Sequence, residues 1–79
     1  MRLTVYAAEM LEERGIEEGW VARVLAMPAW SEPDPRGPPL RRSYAFVPEA
    51  GGRVLRVVHR READEELVVT AHFDRGARP

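Results

Sequence analysis

Four residue types are missing from this sequence of 79 residues: cysteine, lysine, asparagine and glutamine. Without cysteine the chain has no disulfide, no thiolate nucleophile and no cysteine-based zinc site. Without lysine there is no catalytic lysine, and all 12 basic residues are arginines. The only histidines are His59 and His72, too few to close a structural metal site without carboxylates. No metal and no cofactor are expected.

Long apolar runs are also absent. No stretch of about eighteen consecutive apolar residues occurs, so a membrane-spanning helix is not expected and a membrane is not a predicted partner. Residues 1–6 hold no apolar run of the length that a signal peptide needs, so the expected location is the cytoplasm. The length predicts one domain over residues 1–79, with a thin core that buries about 60–65% of the unfolded chain's surface.

Charge is unevenly distributed, although the formal net charge is only −1. Residues 1–35 carry a net charge of −4, residues 36–61 carry +6, and residues 62–79 carry −3. Such asymmetry indicates an anionic partner for the basic segment, and the planar guanidinium group suits bidentate contacts with phosphate. The alternative is internal neutralisation, with acidic helices lying against an arginine-rich sheet edge. The sequence leaves both interpretations open.

Apolar periodicity predicts two short helices in the first third of the chain. Ala7, Met10 and Leu11 share one face of the first helix, which ends at Gly15. The second begins near Glu17 and stops at Pro28. Its apolar stripe consists of Ile16, Trp20, Val21, Val24 and Leu25. About two residues join the helices, which predicts an αα-hairpin.

Strand patterns follow the helices. Residues 31–39 hold four of the seven prolines and are predicted to be a loop, preceded by a candidate edge strand over residues 27–30. Further strands are predicted at 40–47, 53–59 and 66–73, with turns at 49–52 and 60–66 and a flexible tail at 74–79. The expected fold is α+β, with the αα-hairpin packed on one face of a three- to four-stranded antiparallel sheet.

Alternation along these strands predicts which side chains face the helices. The inward set is Leu55, Val57, His59, Val69, Ala71 and Phe73, with Tyr44 or Phe46. The outward set is Arg41, Ser43, Arg56, Thr70 and His72. A face of arginine, threonine and histidine with few acids is the predicted binding surface.

Four segments together resemble a known family: residues 13–16 (Glu-Arg-Gly-Ile), the helical run ending before Pro28, residues 52–58 (Gly-Arg-Val-Leu-Arg-Val-Val) and residues 67–71 (Leu-Val-Val-Thr-Ala). They are similar to the domain of unknown function 4258 over residues 6–73. The resemblance implies a fold related to the RelE-like and BrnT-like bacterial toxins, small ribonucleases that cut RNA and pair with an antitoxin. Members often carry a histidine and a basic residue where this chain has Tyr6 and Met10, and RelE-like enzymes commonly use a lysine.

Metal-independent RNA cleavage needs a base, an acid and cations that stabilise the phosphorane. His72 and Arg56 are the candidate catalytic residues, and Arg41, Arg42, Arg56 and Arg60 are the candidate RNA-binding residues, with Arg41 preferred over Arg42 as the neighbour of Arg56. Structural alternatives stand beside each: a strand residue packed on Thr70 for His72, and a cross-strand ion pair with Glu65 or Glu66 for Arg56. His59 is expected to be a structural, hydrogen-bonded histidine.

Two functions remain open at this point. The first is a toxin-like domain that binds RNA through the Arg41, Arg56 and His72 face, with endoribonuclease activity as a further step and a cognate antitoxin as a second partner. The second is a non-catalytic protein-interaction module or a homodimer, formed through an exposed sheet edge, that keeps the toxin-like fold without activity. No phosphate-binding glycine loop, metal-ligand spacing or serine triad is recognised in the sequence.

Overall fold

A single mixed sheet of five strands carries two helices on one face. The computed structural model describes all residues, 1–79. In chain order the elements are β1 (Arg2–Leu3), α1 (Val5–Arg14), α2 (Glu18–Ala26), β2 (Trp30–Pro33), β3 (Arg41–Val47), a 3₁₀ turn (Pro48–Ala50), β4 (Arg53–Glu62) and β5 (Glu65–Phe73). The strand order across the sheet is β1-β5-β4-β3-β2. The α+β class and the helix pair are confirmed.

Local sequence explains both ends of α1. The Thr4 side chain accepts a hydrogen bond from the Ala7 backbone N–H at 3.0 Å, which satisfies one of the free donors of the first turn. At the other end Gly15 adopts a left-handed conformation with φ of 65° and closes the helix. The Arg14 guanidinium donates to the Ala71 carbonyl oxygen at 2.9 Å, so this arginine ties α1 to β5. Neither helix is long and apolar enough to cross a membrane.

The sheet differs from the expected antiparallel meander at both edges. β1 pairs in parallel with β5, with Arg2 opposite Leu67, and so makes the sheet mixed. A strand of two residues has no alternation that a sequence pattern could detect. At the other edge β2 covers Trp30–Pro33, so residues 31–33 are strand and not part of the predicted loop. Proline is tolerated in β2 because the strand lies at the sheet edge.

The β4–β5 hairpin is longer than predicted. Residues 60–62 continue β4 and pair with residues 65–67, which leaves only Ala63 and Asp64 in the turn. A register shift between Val58 and His59 also skips Val69 in the ladder. The bulge brings Val68 into the core with no exposed surface, in place of the predicted Val69. Charged residues within a strand and a bulge are both invisible to a simple alternation rule.

The core lies between the helices and one face of the sheet. Its fully or nearly buried members are Ala7, Leu11, Ile16, Val21, Val24, Val47, Leu55, Val57, Val68 and Ala71, with Trp20 and Phe73 packed against them. Tyr44 and Phe46 lie on the opposite face, which we call the open face, because Tyr44 pairs directly with Arg56 and Phe46 with Val54. Their predicted inward direction is wrong. Ala45 and Val47 occupy the helix side of β3 instead. Alternation could not distinguish the two sides, because both alternate sets of positions in this strand hold apolar residues.

Candidate functional site

The arginines that were expected on one surface lie on both faces of the sheet. Tyr44, Arg56 and His72 are direct partners across β3, β4 and β5, so all three side chains lie on the open face. Arg42 and Arg60 share that face by alternation. Arg41 instead pairs with His59 and lies on the helix side. The preference for Arg41 as the neighbour of Arg56 is therefore wrong, and Arg42 takes that position. Ser43, also expected outward, pairs with Val57 on the helix side.

Arg56 contacts two side chains, that of His72 in β5 and that of Asp74, which directly follows β5. Its Nη2 lies 2.6 Å from Nε2 of His72, and its Nη1 lies 3.3 Å from Oδ2 of Asp74. A guanidinium group has no acceptor, so it donates and His72 accepts with a neutral ring. Burial, and next the charge of Arg56, lower the pKa of His72. With Nε2 occupied and an arginine beside it, His72 is placed to accept a hydrogen bond from Arg56 and not to donate a proton to a leaving group.

Arg42 holds the proline-rich loop closed. Its Nε donates to Oδ2 of Asp34 at 3.0 Å, and Arg36 Nε donates to Oδ1 of the same carboxylate at 2.8 Å. The Asp34 side chain has no exposed surface. The hydrogen bond from Arg36 is the largest cause that holds the pKa of Asp34 well below its usual range, and Arg42 adds to it. The charge of Arg42 is thus committed to a structural contact.

Arg60 and its neighbour Arg61 are also paired. Arg60 Nη2 lies 2.6 Å from Glu62, which also contacts Arg2 at 2.7 Å, and Arg61 Nη1 lies 3.4 Å from Glu66. The paired arginines of residues 36–61 are therefore neutralised by carboxylates of the strands and loops, and not by those of the helices. Five glutamates of the helix pair form no salt bridge: Glu9, Glu12, Glu13, Glu17 and Glu18.

Unpaired positive charge gathers instead at one end of the sheet. Five arginines form no salt bridge: Arg14, Arg41, Arg53, Arg75 and Arg78. Three of them, Arg53, Arg75 and Arg78, line a groove of about 500 Å³ between the β3–β4 turn and the C-terminal residues. We call this cleft the basic groove.

Aromatic rings complete the basic groove. Phe46 lines it with 57% of its surface exposed. The guanidinium carbon of Arg53 lies 3.9 Å from the ring centroid of Phe73, a cation–π contact that presents the planar cation at the groove wall. Asp74 is the acid in the groove, and it is engaged by Arg56. The sequence predicts only a flexible tail for Arg75 and Arg78, since no spacing rule relates coil residues to a distant hairpin turn.

A second group of polar side chains was also missed. Ser31 Oγ lies 2.9 Å from Ser43 Oγ, Ser43 Oγ lies 2.7 Å from His59 Nε2, and His59 Nδ1 lies 2.5 Å from Glu66 Oε1. No serine triad is recognised in the sequence, but the fold brings serine, histidine and carboxylate side chains together. The contacts cross four strands, so only the register of the sheet, and not sequence spacing, reveals them. No cluster of three or more potential metal-binding side chains occurs.

Comparison with known protein families places the chain. A family described as Domain of unknown function (DUF4258) matches residues 3–73. The chain belongs to this family. No curated protein and no solved structure matches the chain. The match to DUF4258 ends at Phe73, so Arg75 and Arg78 of the basic groove lie beyond the matched residues.

Proposed function

We propose that this DUF4258 domain binds single-stranded RNA through the basic groove. The observation that supports the proposal is the convergence of Arg53, Arg75 and Arg78, none of which has a carboxylate partner, around the exposed ring of Phe46. Proteins that bind single strands combine a positive groove, which follows the phosphates, with aromatic rings on which bases stack. The relation to small RNA-cutting toxins that the family resemblance implies favours RNA as the ligand.

The proposal moves the binding surface away from the middle of the open face. Arg42, Arg56 and Arg60 are engaged by Asp34, Asp74 and Glu62, and a phosphate would have to displace a carboxylate to reach each of them. Such a displacement exchanges one charge-assisted contact for another and gains little. Cleavage by His72 and Arg56 has less support than binding, because Arg56 occupies the imidazole nitrogen that would take a proton.

The test is fluorescence anisotropy with a labelled single-stranded RNA of about 12 nucleotides, measured between about 50 and 200 mM salt. Three phosphate contacts predict a slope of log K against log salt of about −2. In the double variant Arg53→Ala/Arg78→Ala we expect a slope of about −0.7 and an affinity at least about tenfold lower. Phe46→Ala should weaken binding by about 1–3 kcal/mol through lost stacking, with the slope unchanged.

The matched control is Arg61→Ala, which removes one positive charge from the far end of the same strand as Arg53. Its RNA affinity should stay within about twofold of the wild type, because its distance from the groove exceeds a Debye length of about 8–10 Å. If Arg61→Ala weakens RNA binding as much as Arg53→Ala/Arg78→Ala does, the basic groove is not the binding site. Equal affinity for DNA of the same sequence would remove the preference for RNA from the proposal.

Protein association through the outer edge of β2 is a second candidate function. β2 is the last strand of the sheet and has no neighbour on its outer side. Unpaired strand edges accept a further strand from another chain, and this includes a second copy or an antitoxin. Sedimentation or light scattering measures the solution mass directly. A monomer at high concentration would contradict the homodimer.

A further inference from the structure

A line of hydrogen bonds crosses four strands of the sheet, independent of the basic groove. Ser31 of β2 is the direct partner of Ser43 of β3, and their hydroxyl oxygens are 2.9 Å apart. Ser43 reaches diagonally to His59 of β4 at 2.7 Å, and His59 reaches diagonally to Glu66 of β5 at 2.5 Å. We call these four side chains the polar relay.

All hydrogen bonds of the polar relay are donated in the direction from Ser31 toward Glu66. An ionised carboxylate only accepts hydrogen bonds, so His59 carries its proton on Nδ1 and donates it to Glu66. In the neutral ring Nε2 of His59 is then the acceptor for the Ser43 hydroxyl, and the Ser43 oxygen is free to accept the hydroxyl of Ser31. A proton that leaves Ser31 can therefore move through Ser43 to His59. This is the arrangement in which a carboxylate orients an imidazole that serves as base for a serine.

Burial separates the roles of the two serines. Ser43 is 3% exposed and His59 is 8% exposed, so neither presents its polar atoms freely to a substrate. Ser31 is exposed on the edge strand, where a substrate can approach from solvent. Arg61 contacts the second oxygen of Glu66 at 3.4 Å and helps to hold this carboxylate in place. Ser31 is thus the nucleophile of the relay, Ser43 a proton carrier, and His59 the base.

The backbone N–H of Ser31 can donate to the negative charge that forms on an attacked carbonyl oxygen. The Asp34 backbone N–H donates to the Leu40 carbonyl oxygen at 3.0 Å, and hydrogen-bonded pairs alternate along an antiparallel ladder. Ser31 and Ser43 consequently form a non-hydrogen-bonded pair, and the backbone N–H of Ser31 points to the free edge. Arg41, which forms no salt bridge, lies opposite His59 on the same face of the sheet as the relay.

We propose that the polar relay is a nucleophilic serine site that hydrolyses small carboxylic esters. Ser31 Oγ attacks the carbonyl carbon while its proton passes through Ser43 to His59 Nε2. The bond to the alcohol breaks, and the leaving oxygen takes the proton back, which leaves an acyl ester on Ser31. Water then attacks this ester, giving its proton to the same base, and the carboxylic acid leaves as Ser31 regains its hydrogen.

Covalent labelling and turnover test the proposal together. The wild type is treated with a fluorophosphonate probe, and peptide mass mapping should place a single adduct on Ser31. Hydrolysis of p-nitrophenyl acetate should begin with a burst of one p-nitrophenolate per chain. Ser31→Ala should abolish both the adduct and the burst. His59→Gln should slow labelling by about 10²- to 10⁴-fold, and Glu66→Gln should slow labelling by a smaller factor.

Thr70→Ala is the matched control, since it removes a hydroxyl from the open face without touching the relay. It should label and turn over like the wild type. Ser31 is exposed at an edge, so Ser31→Ala keeps the fold, and a thermal melt of each variant verifies this. An adduct on any other residue, turnover that survives Ser31→Ala, or a wild type that neither labels nor turns over would overturn the proposal. RNA binding at the basic groove should be the same in Ser31→Ala.

Discussion

Arg56 and His72, direct partners across β4 and β5, share one hydrogen bond, with Arg56 Nη2 at 2.6 Å from His72 Nε2. The pair fixes a neutral ring on His72, since a protonated ring would leave two cations in contact. Burial is the larger cause of the lowered pKa of His72, and the charge of Arg56 is the next. Folding therefore disfavours the protonated histidine.

Replacing Arg56 should raise the pKa of His72. In Arg56→Gln we expect the pKa, followed by NMR of the ring protons, to rise toward its ordinary value near 6.5 but to stay below it, because burial persists. Arg60→Gln, a change on the same strand and face, is the control, since Arg60 is not a cause of the shift. An equal rise in both variants would show that the effect is not specific to the contact.

The same shift makes stability depend on pH. The folded-state pKa of His72 lies below the ordinary value, so the unfolded chain binds the proton more readily, and the free energy of unfolding decreases as the pH falls below about 6.5. His72→Gln should remove this part of the decrease. Urea denaturation at pH 7.5 and at pH 5.5 measures it, and an unchanged slope between these values would contradict the assignment.

Asp34 should dominate the acid sensitivity at lower pH. Its folded-state pKa is lowered by Arg36 and Arg42, so the stability it contributes is complete above about pH 5 and is lost as the pH falls toward the folded value. Asp34→Asn removes charge-assisted hydrogen bonds from a buried group, which should cost on the order of 2 kcal/mol at pH 7. The variant should also show a flatter stability curve between about pH 5 and 3.

Asp64→Asn is the control for this experiment. The Asp64 carboxylate lies in the β4–β5 turn and forms no salt bridge. Its removal should leave both the stability at pH 7 and the acid limb close to wild type. If the acid limb of Asp34→Asn is as steep as that of the wild type, the loop carboxylate is not the group that titrates.

Particular residues show how far the sequence alone predicts this fold. The helices followed from apolar spacing and from Gly15, because those signals are local. The predicted helix-side positions of Val69, Tyr44 and Phe46 are wrong, because a bulge and a strand apolar in both phases defeat strict alternation. β1 was missed because its parallel pairing with β5 joins residues far apart in the sequence.

The candidate sites were harder to predict, for a physical reason. The composition shows an excess of arginine over residues 36–61, but it does not show which carboxylate each arginine contacts. Asp34 and Asp74, which lie outside that segment, neutralise Arg42 and Arg56. The polar relay depends on the register of four strands, where a shift of one residue would turn Ser43 away from His59. Such pairings are decided by tertiary structure.

The turn between β4 and β5 contains a removable strain. Ala63 has φ of 56°, a left-handed conformation that costs a residue with a Cβ atom about 1 kcal/mol. Ala63→Gly relieves this cost, although glycine also gains freedom in the unfolded chain. The difference leaves an expected net gain of up to about 0.5 kcal/mol, seen as a rise of up to about 4 °C in Tm. A lower Tm would mean that the turn does not hold Ala63 in this conformation.

A pair of glycines allows the opposite test of the same principle. Gly15 ends α1 with φ of 65°, whereas Gly19 lies within α2, and a Cβ atom at either position would meet nothing within 4 Å. Gly15→Ala should therefore destabilise the protein by about 1 kcal/mol through backbone strain alone. Gly19→Ala should stabilise it by about 0.5–1 kcal/mol, because alanine favours the helix. Thermal melts of both variants beside the wild type measure these changes. Neither substitution adds a steric clash, so a change in Tm of the same sign in both variants would contradict the assigned helix ends.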